Sequence, residues 1–173
     1  LSHLAAVDRV LDRMDQIIDD VMALTWGGQD PAPDDLSACS LLQLAETCWD
    51  HVDTAGASLH IDATASLIAE EGRLQRLLEN LFRNAIDHGG DEVTIWIGPL
   101  DDGFFVEDDG PGIPDSTRDE IFEAGYSSAD EGTGLGLNIV QTIADVHGWT
   151  VAATDGHHGG ARFEVRDVER PDV

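Results

Sequence analysis

Between Leu4 and Leu24, apolar side chains return every three or four residues, as Leu4, Val7, Leu11, Met14, Ile17/Ile18, Val21 and Leu24, with Asp and Arg on the other faces. That period predicts a long amphipathic helix. Its stripe approaches a heptad seam, so it can pack in a bundle with another helix or its own copy, or lie as an ordinary surface helix on the domain that follows. The run Trp26-Gly27-Gly28-Gln29-Asp30-Pro31-Ala32-Pro33 breaks the pattern and predicts a linker over residues 27–35. Beyond it, Ser40 is placed to cap a helix from Leu41 to His51, and Ser58 to Ile61 reads as a short strand. A second strong helix is expected from about Glu70 to His88, burying Leu74, Leu77, Leu78, Leu81, Phe82, Ala85 and Ile86 and stopping at Gly89-Gly90. Val93 to Ile97 and Phe104 to Glu107 read as strands of a hairpin turning around Asp101-Asp102-Gly103. The polar, glycine-bearing stretch from Asp108 to Glu131 holds only a short helical piece near Ser116 to Phe122. A helix from Leu135 to Val146 stops at His147-Gly148, and strands Thr150 to Thr154 and Arg162 to Val165 close the chain. This order predicts an α+β fold: a two-layer sandwich of a mixed sheet with helices on one face, preceded by a long amphipathic helix. Its units are a helix over 1–26, a linker over 27–35, the main domain over 36–168 and a tail over 169–173. The sequence has no internal repeat.

Composition narrows the setting. The chain has 173 residues, 42% of them hydrophobic, enough for a packed core. Thirty-five acidic residues face nine basic ones, all Arg, for a formal net charge of −26. That balance leaves no basic footprint for nucleic acid. The acids are scattered through a globular pattern rather than gathered in one tail, which points to surface solvation in very high salt. At about 1 M salt the screening length falls to about 3 Å, and repulsion that strains a fold in dilute buffer becomes tolerable. An extremely halophilic host is therefore expected. No run of about 18 apolar residues and no secretion signal occurs, so no membrane contact is expected of this stretch. Its opening on Leu1 rather than Met leads us to expect a fragment, with a membrane segment upstream left open. Cys39 and Cys48 have neither metal-ligand spacing nor a disulfide framework, which fits a reducing, cytoplasmic compartment.

Three stretches carry candidate chemistry. Asn80 and Asn84 lie four apart, so both amides are expected on the face of their helix opposite the leucines, as a site or as solvated filler. Val106-Glu107-Asp108-Asp109-Gly110-Pro111-Gly112-Ile113-Pro114 leaves a strand with an acid beside glycines. A carboxylate there can accept a hydrogen bond from the amino group of a ring such as adenine lying on the bare backbone; a plain Pro-Gly turn is the alternative. Glu131-Gly132-Thr133-Gly134-Leu135-Gly136-Leu137 opens a helix, where unpaired N–H groups and the helix dipole can hold phosphate. A dinucleotide fingerprint would need Gly in place of Leu137 and a strand just before. A P-loop would need a lysine, and the chain has none.

In this order and with these gaps the motifs resemble the ATPase domain of histidine kinases, in the superfamily shared with gyrase, the large heat-shock chaperone and the mismatch-repair ATPase. Asn80-Leu81-Phe82-Arg83-Asn84-Ala85-Ile86-Asp87-His88 resembles its asparagine box, and Asp108-Asp109-Gly110-Pro111-Gly112-Ile113-Pro114 its first glycine box. Ile121-Phe122-Glu123 is similar to the phenylalanine box, Gly132-Thr133-Gly134-Leu135-Gly136-Leu137 to the second glycine box, and Gly159-Gly160-Ala161-Arg162-Phe163 to the closing strand. The resemblance covers about residues 36 to 168 and implies a Bergerat-type ATPase fold that binds ATP with Mg²⁺. It implies that Asn84 supplies an oxygen to Mg²⁺ with Asn80 in support, and that Asp108 reads the adenine amino group. Gly110, Gly112 and Ile113 would border the base, Gly132, Thr133, Gly134, Leu135, Gly136 and Leu137 would hold phosphates, and Asp87 and His88 would lie at the same site. Residues 115 to 131 would form a lid. Residues 1 to 26 are similar to the end of a dimerisation helix, which implies a homodimer and a response regulator as partner, and the composition points to an archaeal member.

The chain departs from the family at two places. Asp87 stands where a Lys or Arg is common three residues after the Mg²⁺ asparagine, and Ala124 to Glu131 contains no basic residue, leaving Arg83, Arg118 or His88 to compensate. No acceptor histidine is expected, because His3-Leu4-Ala5-Ala6-Val7 lacks the acid and proline that accompany one. His157-His158 reads as a surface turn rather than a metal site. Three functions stay open: a histidine autokinase domain, a nucleotide-binding regulatory module, and a serine kinase of the anti-sigma-factor type. The N-terminal helix argues against the third.

Overall fold

The computed structural model describes residues 2–27, 31–52, 54, 56–62, 65–89, 92–123 and 136–171. Helix α1 spans Ser2–Gly27, strand β1 Ser37–Ser40, helix α2 Leu41–His51, strand β2 Ser58–Ile61, strand β3 Ser66–Ala69 and helix α3 Glu71–Gly89. Strands β4 (Thr94–Leu100) and β5 (Gly103–Asp108), helix α4 (Gly136–His147), and strands β6 (Thr150–Asp155) and β7 (Ala161–Arg166) follow. The main sheet has five strands in the order β2-β4-β5-β7-β6. Only β2 and β4 run parallel; the other neighbours are antiparallel. The fold is thus α+β with a mixed sheet. No helix of the described residues is long and apolar enough to cross a membrane.

Strand alternation decides which face is covered. Ile95 and Ile97 of β4, Phe104 and Val106 of β5, and Phe163 and Val165 of β7 are in register and buried, and they form the floor on which the helices lie. From above, α3 brings Leu74, Leu77, Leu78, Leu81 and Phe82, α2 brings Leu41, Leu44, Ala45 and Cys48, and α4 brings Ile139, Val140, Ile143 and Ala144. Each such Leu, Ile or Phe contributes about 1.5–3 kcal/mol on burial. Phe82 meets Trp49 edge to face with centroids 5.6 Å apart, tying α3 to α2. Ser40 Oγ accepts from Gln43 N at 3.3 Å, so it is the expected cap of α2. Gly148, at φ 76°, ends α4 as expected.

Several boundaries differ from the sequence reading. Helix α1 continues through Trp26 and Gly27, and Pro33–Asp35 forms a 3-10 turn, so the segment 27–35 is not irregular throughout. Strands β1 and β3 pair antiparallel as a separate two-stranded sheet, and neither was anticipated. The tail is engaged: Ile68 N donates to Glu169 O at 2.8 Å and Val168 is buried. Gly103 lies in β5 rather than in the turn, paired with Leu100, and a Cβ there would fall 1.8 Å from Val165 O, so no side chain fits. The expected helical piece near Ser116–Phe122 is a 3-10 turn at Asp115–Thr117 followed by further turns.

Candidate functional site

Asp108 ends β5 on the helix-covered face, in register with Ile95. Only 6% of its surface is exposed. Its Oδ1 accepts from Gly110 N at 2.9 Å and from Ala161 N at 3.3 Å. Its other oxygen has no hydrogen-bond partner among the described residues. Burial pushes the Asp108 carboxyl above its ordinary value and Asp109 adds to this, while the Gly110 and Ala161 N–H groups and nearby His88 pull it back. One oxygen is therefore fixed by two backbone N–H groups.

The glycines beside it bring stretches of backbone close together. At Gly110 a Cβ would fall 2.8 Å from Gly89 Cα, so the end of α3 and the loop after β5 approach at a distance no side chain permits. Gly112 has φ 81°, a left-handed conformation that turns the loop back toward Gly159 and Gly160. Ile113 is half-buried against the core.

The asparagines behave differently from each other. Asn80 is 4% exposed, and its Nδ2 donates to Arg76 O at 2.8 Å. Its Oδ1 would lie 3.2 Å from a Cβ on Gly136, so it sits against the first residue of α4. The expected open face of α3 is thus roofed by α4 at this point. Asn84, one turn on, is half-buried and has no hydrogen-bond partner among the described residues. Its amide oxygen suits a hard cation such as Mg²⁺. Among the described residues no cluster of three or more His, Cys, Asp or Glu could hold a metal ion by itself. A cation here would share its oxygens with a ligand.

The described site residues converge from three elements. Asp87 and His88 are exposed at the end of α3, with His88 close enough to Asp108 to affect its charge. Gly136 and half-buried Leu137 open α4 beside Asn80. Gly132, Thr133, Gly134 and Leu135, and residues 124–131 of the expected lid, lie outside the described residues. The anchor of that segment is described: Phe122 packs edge to face on Phe163 at 6.2 Å, and Asn138 Nδ2 donates to Phe122 O at 3.0 Å. Arg83 pairs with Glu79 at 3.6 Å, and Arg118 pairs with Asp115 at 2.9 Å and with Asp155, so neither is an unengaged cation.

Sequence reasoning missed the Ala161 N–H donor and the residues around Glu107. Glu107 lies on the opposite face of the sheet and is paired with Arg162 and His158. The closing-strand resemblance placed Ala161 near the end of the domain, but only the β5–β7 register puts its N–H on Asp108.

The family model for histidine kinase-, DNA gyrase B- and HSP90-like ATPases matches residues 69–170. The chain is 34% identical over 148 residues to the signal transduction histidine-protein kinase AfsQ2 of Streptomyces coelicolor, a match covering 73% of this chain and 28% of that protein. It is 27% identical to the sensor histidine kinase CpxA of Escherichia coli, over 94% of this chain and 39% of that protein. The chain therefore spans well under half the length of these relatives. In three dimensions it is similar to a mycobacterial sensor histidine kinase, MprB, with a TM-score of 0.67 and 22% identity over 79% of this chain and 99% of that one. Full-length ShkA in complex with AMPPNP superposes with a TM-score of 0.71 and 24% identity over 99% of this chain and 39% of that one.

Proposed function

The chain belongs to the histidine kinase-, DNA gyrase B- and HSP90-like ATPase family, and from that premise we propose that it is the ATP-binding catalytic domain of a two-component sensor histidine kinase. The observation that carries the reading is Asp108: one oxygen is clamped by two backbone N–H groups, and the other takes no hydrogen bond from a described residue. An exocyclic amino group is the donor such an oxygen takes, and adenine has one where guanine has a carbonyl. The residues fit the rest of the ligand too. Asn84 would give an oxygen to Mg²⁺, and the start of α4 at Gly136 and Leu137, with Gly132 to Leu135 before it, would take the phosphates on backbone N–H groups. Bound Mg²⁺-ATP supplies the transferable phosphoryl group and spreads its charge. The chain's own residues would bind and orient it.

The acceptor is proposed to be a histidine on a dimerisation helix outside this stretch, with a response regulator taking the phosphoryl group onward. Helix α1 supports a homodimer, since its stripe of Leu4, Val7, Leu11, Met14, Ile18 and Val21 is exposed. Asp87, together with the engagement of Arg83 and Arg118 by acids, favours a second reading, a nucleotide-binding regulatory module with weak transfer. Incubation with γ-labelled ATP separates the two. Positioning of the acceptor supplies much of the rate, so the chain alone should form no acid-labile phosphohistidine, whereas an added first-helix segment should take label once the bundle is reconstituted. Label on the chain alone that disappears in His3→Gln would place the acceptor wrongly, and no label on the reconstituted bundle would favour the regulatory module.

The proposed setting is the cytoplasm of a halophile, archaeal in the first instance. A net charge of −26 with nine Arg residues supports it. Circular dichroism should show a native spectrum in molar KCl and loss of structure in dilute buffer. An undiminished melting point without salt would rule this setting out.

A further inference from the structure

Consecutive carboxylates leave the end of β5 on opposite faces of the sheet. Asp108 faces the nucleotide side, and Glu107 faces away from it with 2% of its surface exposed. Glu107 Oε1 accepts from Arg162 Nη1 at 3.0 Å, and its Oε2 accepts from His157 N at 3.1 Å and from His158 Nδ1 at 2.7 Å. Burial alone would raise this carboxyl, but the donors of His158, Arg162 and His157 outweigh it and hold the group below its ordinary value. The donors are themselves held. The His158 ring lies flat on Trp96 of β4, with centroids 3.7 Å apart and planes 7° apart, and the Arg162 guanidinium stacks 3.9 Å over the Phe105 ring.

These contacts grip one side of the turn from Gly156 to Ala161, and Asp108 grips the other. A Cβ on Gly156 would fall 3.2 Å from Glu107 Cγ. A Cβ on Gly160 would fall 2.1 Å from Asp108 O and 2.4 Å from Asp108 Oδ1. Gly156 N donates to Gly160 O at 2.7 Å and closes the turn on itself. The turn ends in the Ala161 N–H that orients Asp108, and it also borders Gly112. It cannot shift on the Glu107 side without moving a donor of the nucleotide side.

We propose that Glu107, partnered by His158, is a positioning residue for base recognition: it fixes the Gly156–Ala161 turn and thereby the direction in which Asp108 presents its open oxygen. The inference rests on the reading of Asp108 as the adenine-contacting carboxylate. Its signature is a change in base preference rather than a general loss of binding, because among the described residues no hydrogen bond joins Asn80, Asn84, Gly136 or Leu137 to this turn. The test is titration calorimetry in molar KCl of the whole chain with Mg²⁺-ATP and Mg²⁺-GTP, read as the ratio of the two affinities. Glu107→Gln should lower the ATP preference roughly tenfold, the equivalent of one charge-assisted hydrogen bond passed on incompletely. His158→Phe keeps a ring on Trp96 but loses Nδ1, and should lower the preference about threefold. His158→Asn restores a donor near Nδ1 and should return it to within about twofold of wild type. If Glu107→Gln does not fold, the two His158 variants decide the matter. A ratio unchanged in Glu107→Gln and His158→Phe, whatever happens to their melting temperatures, overturns the positioning role while the adenine reading stands. A wild-type chain that binds both nucleotides equally overturns the adenine reading and this inference with it.

Discussion

Along α3, Leu74, Leu77, Leu78 and Phe82 are fully buried, whereas along α1, Leu4, Val7, Leu11, Met14 and Ile18 each keep 52–67% of their surface. Both helices carry an apolar stripe at the same spacing. On α3 the stripe meets the sheet, α2 and α4, all within the chain. On α1 the helix meets α4 but most of the stripe meets nothing described. The difference teaches that periodicity states that a face wants cover without stating what covers it. It also separates two situations: α3 organises the domain and carries Asn80 and Asn84 on its second face, while α1 leaves its apolar stripe exposed.

Substitutions should break the two helices apart. Phe82→Ala removes a fully buried ring packed on Trp49 and should cost about 3–5 kcal/mol in chemical denaturation in molar salt. A smaller effect is expected where α3 begins. His147, at the end of α4, accepts from Glu70 N at 3.2 Å through Nε2, with Nδ1 on Ile143 O at 2.8 Å. Burial holds its pKa below the ordinary 6.5. The unfolded chain then takes up a proton that the folded chain resists, so stability is full above about pH 6.5 and declines as pH falls below it. His147→Gln should flatten that decline relative to wild type in denaturation curves recorded from pH 7.5 to 5.5. The smallest effect on stability is expected on α1: Leu11→Ser should leave the unfolding free energy within about 0.5 kcal/mol at concentrations where the chain is monomeric. The same substitution should reduce self-association in sedimentation at higher concentration. A large loss of monomer stability would mean that α1 is covered from within, and the contrast with α3 would fail.

How far the sequence could be read follows from where the information lies. Helix α2 with its Ser40 cap, α3 with its leucine face and the β4–β5 hairpin were legible because their signals are local. Strands β1 and β3 were not, because Ser37-Ala38-Cys39-Ser40 and Ser66-Leu67-Ile68-Ala69 are four residues each and depend on pairing across 30 residues of chain. The end of α1 was set too early by Trp26-Gly27. At the site, the asparagines, Asp108 and the glycines were legible as motifs. That Asn80 is roofed by α4, or that Ala161 N–H reaches Asp108, depends on inter-element packing and strand register. Glu107 left no signal of its own, since an acid at a strand end is ordinary until Arg162 and the His157-His158 turn are folded over it.

Asp108 is proposed to read an adenine amino group with the oxygen that Gly110 N and Ala161 N do not occupy. The most direct test of this reading is calorimetric titration of wild type and Asp108→Asn with Mg²⁺-ATP and Mg²⁺-GTP in molar KCl, with circular dichroism to confirm the fold. Wild type should clearly prefer ATP, and a natively folded Asp108→Asn variant should bind ATP far more weakly. A mismatched polar site can cost on the order of 10⁴-fold in discrimination. Equal affinity of wild type for the two nucleotides, or an Asp108→Asn variant that binds ATP as wild type does, would contradict it.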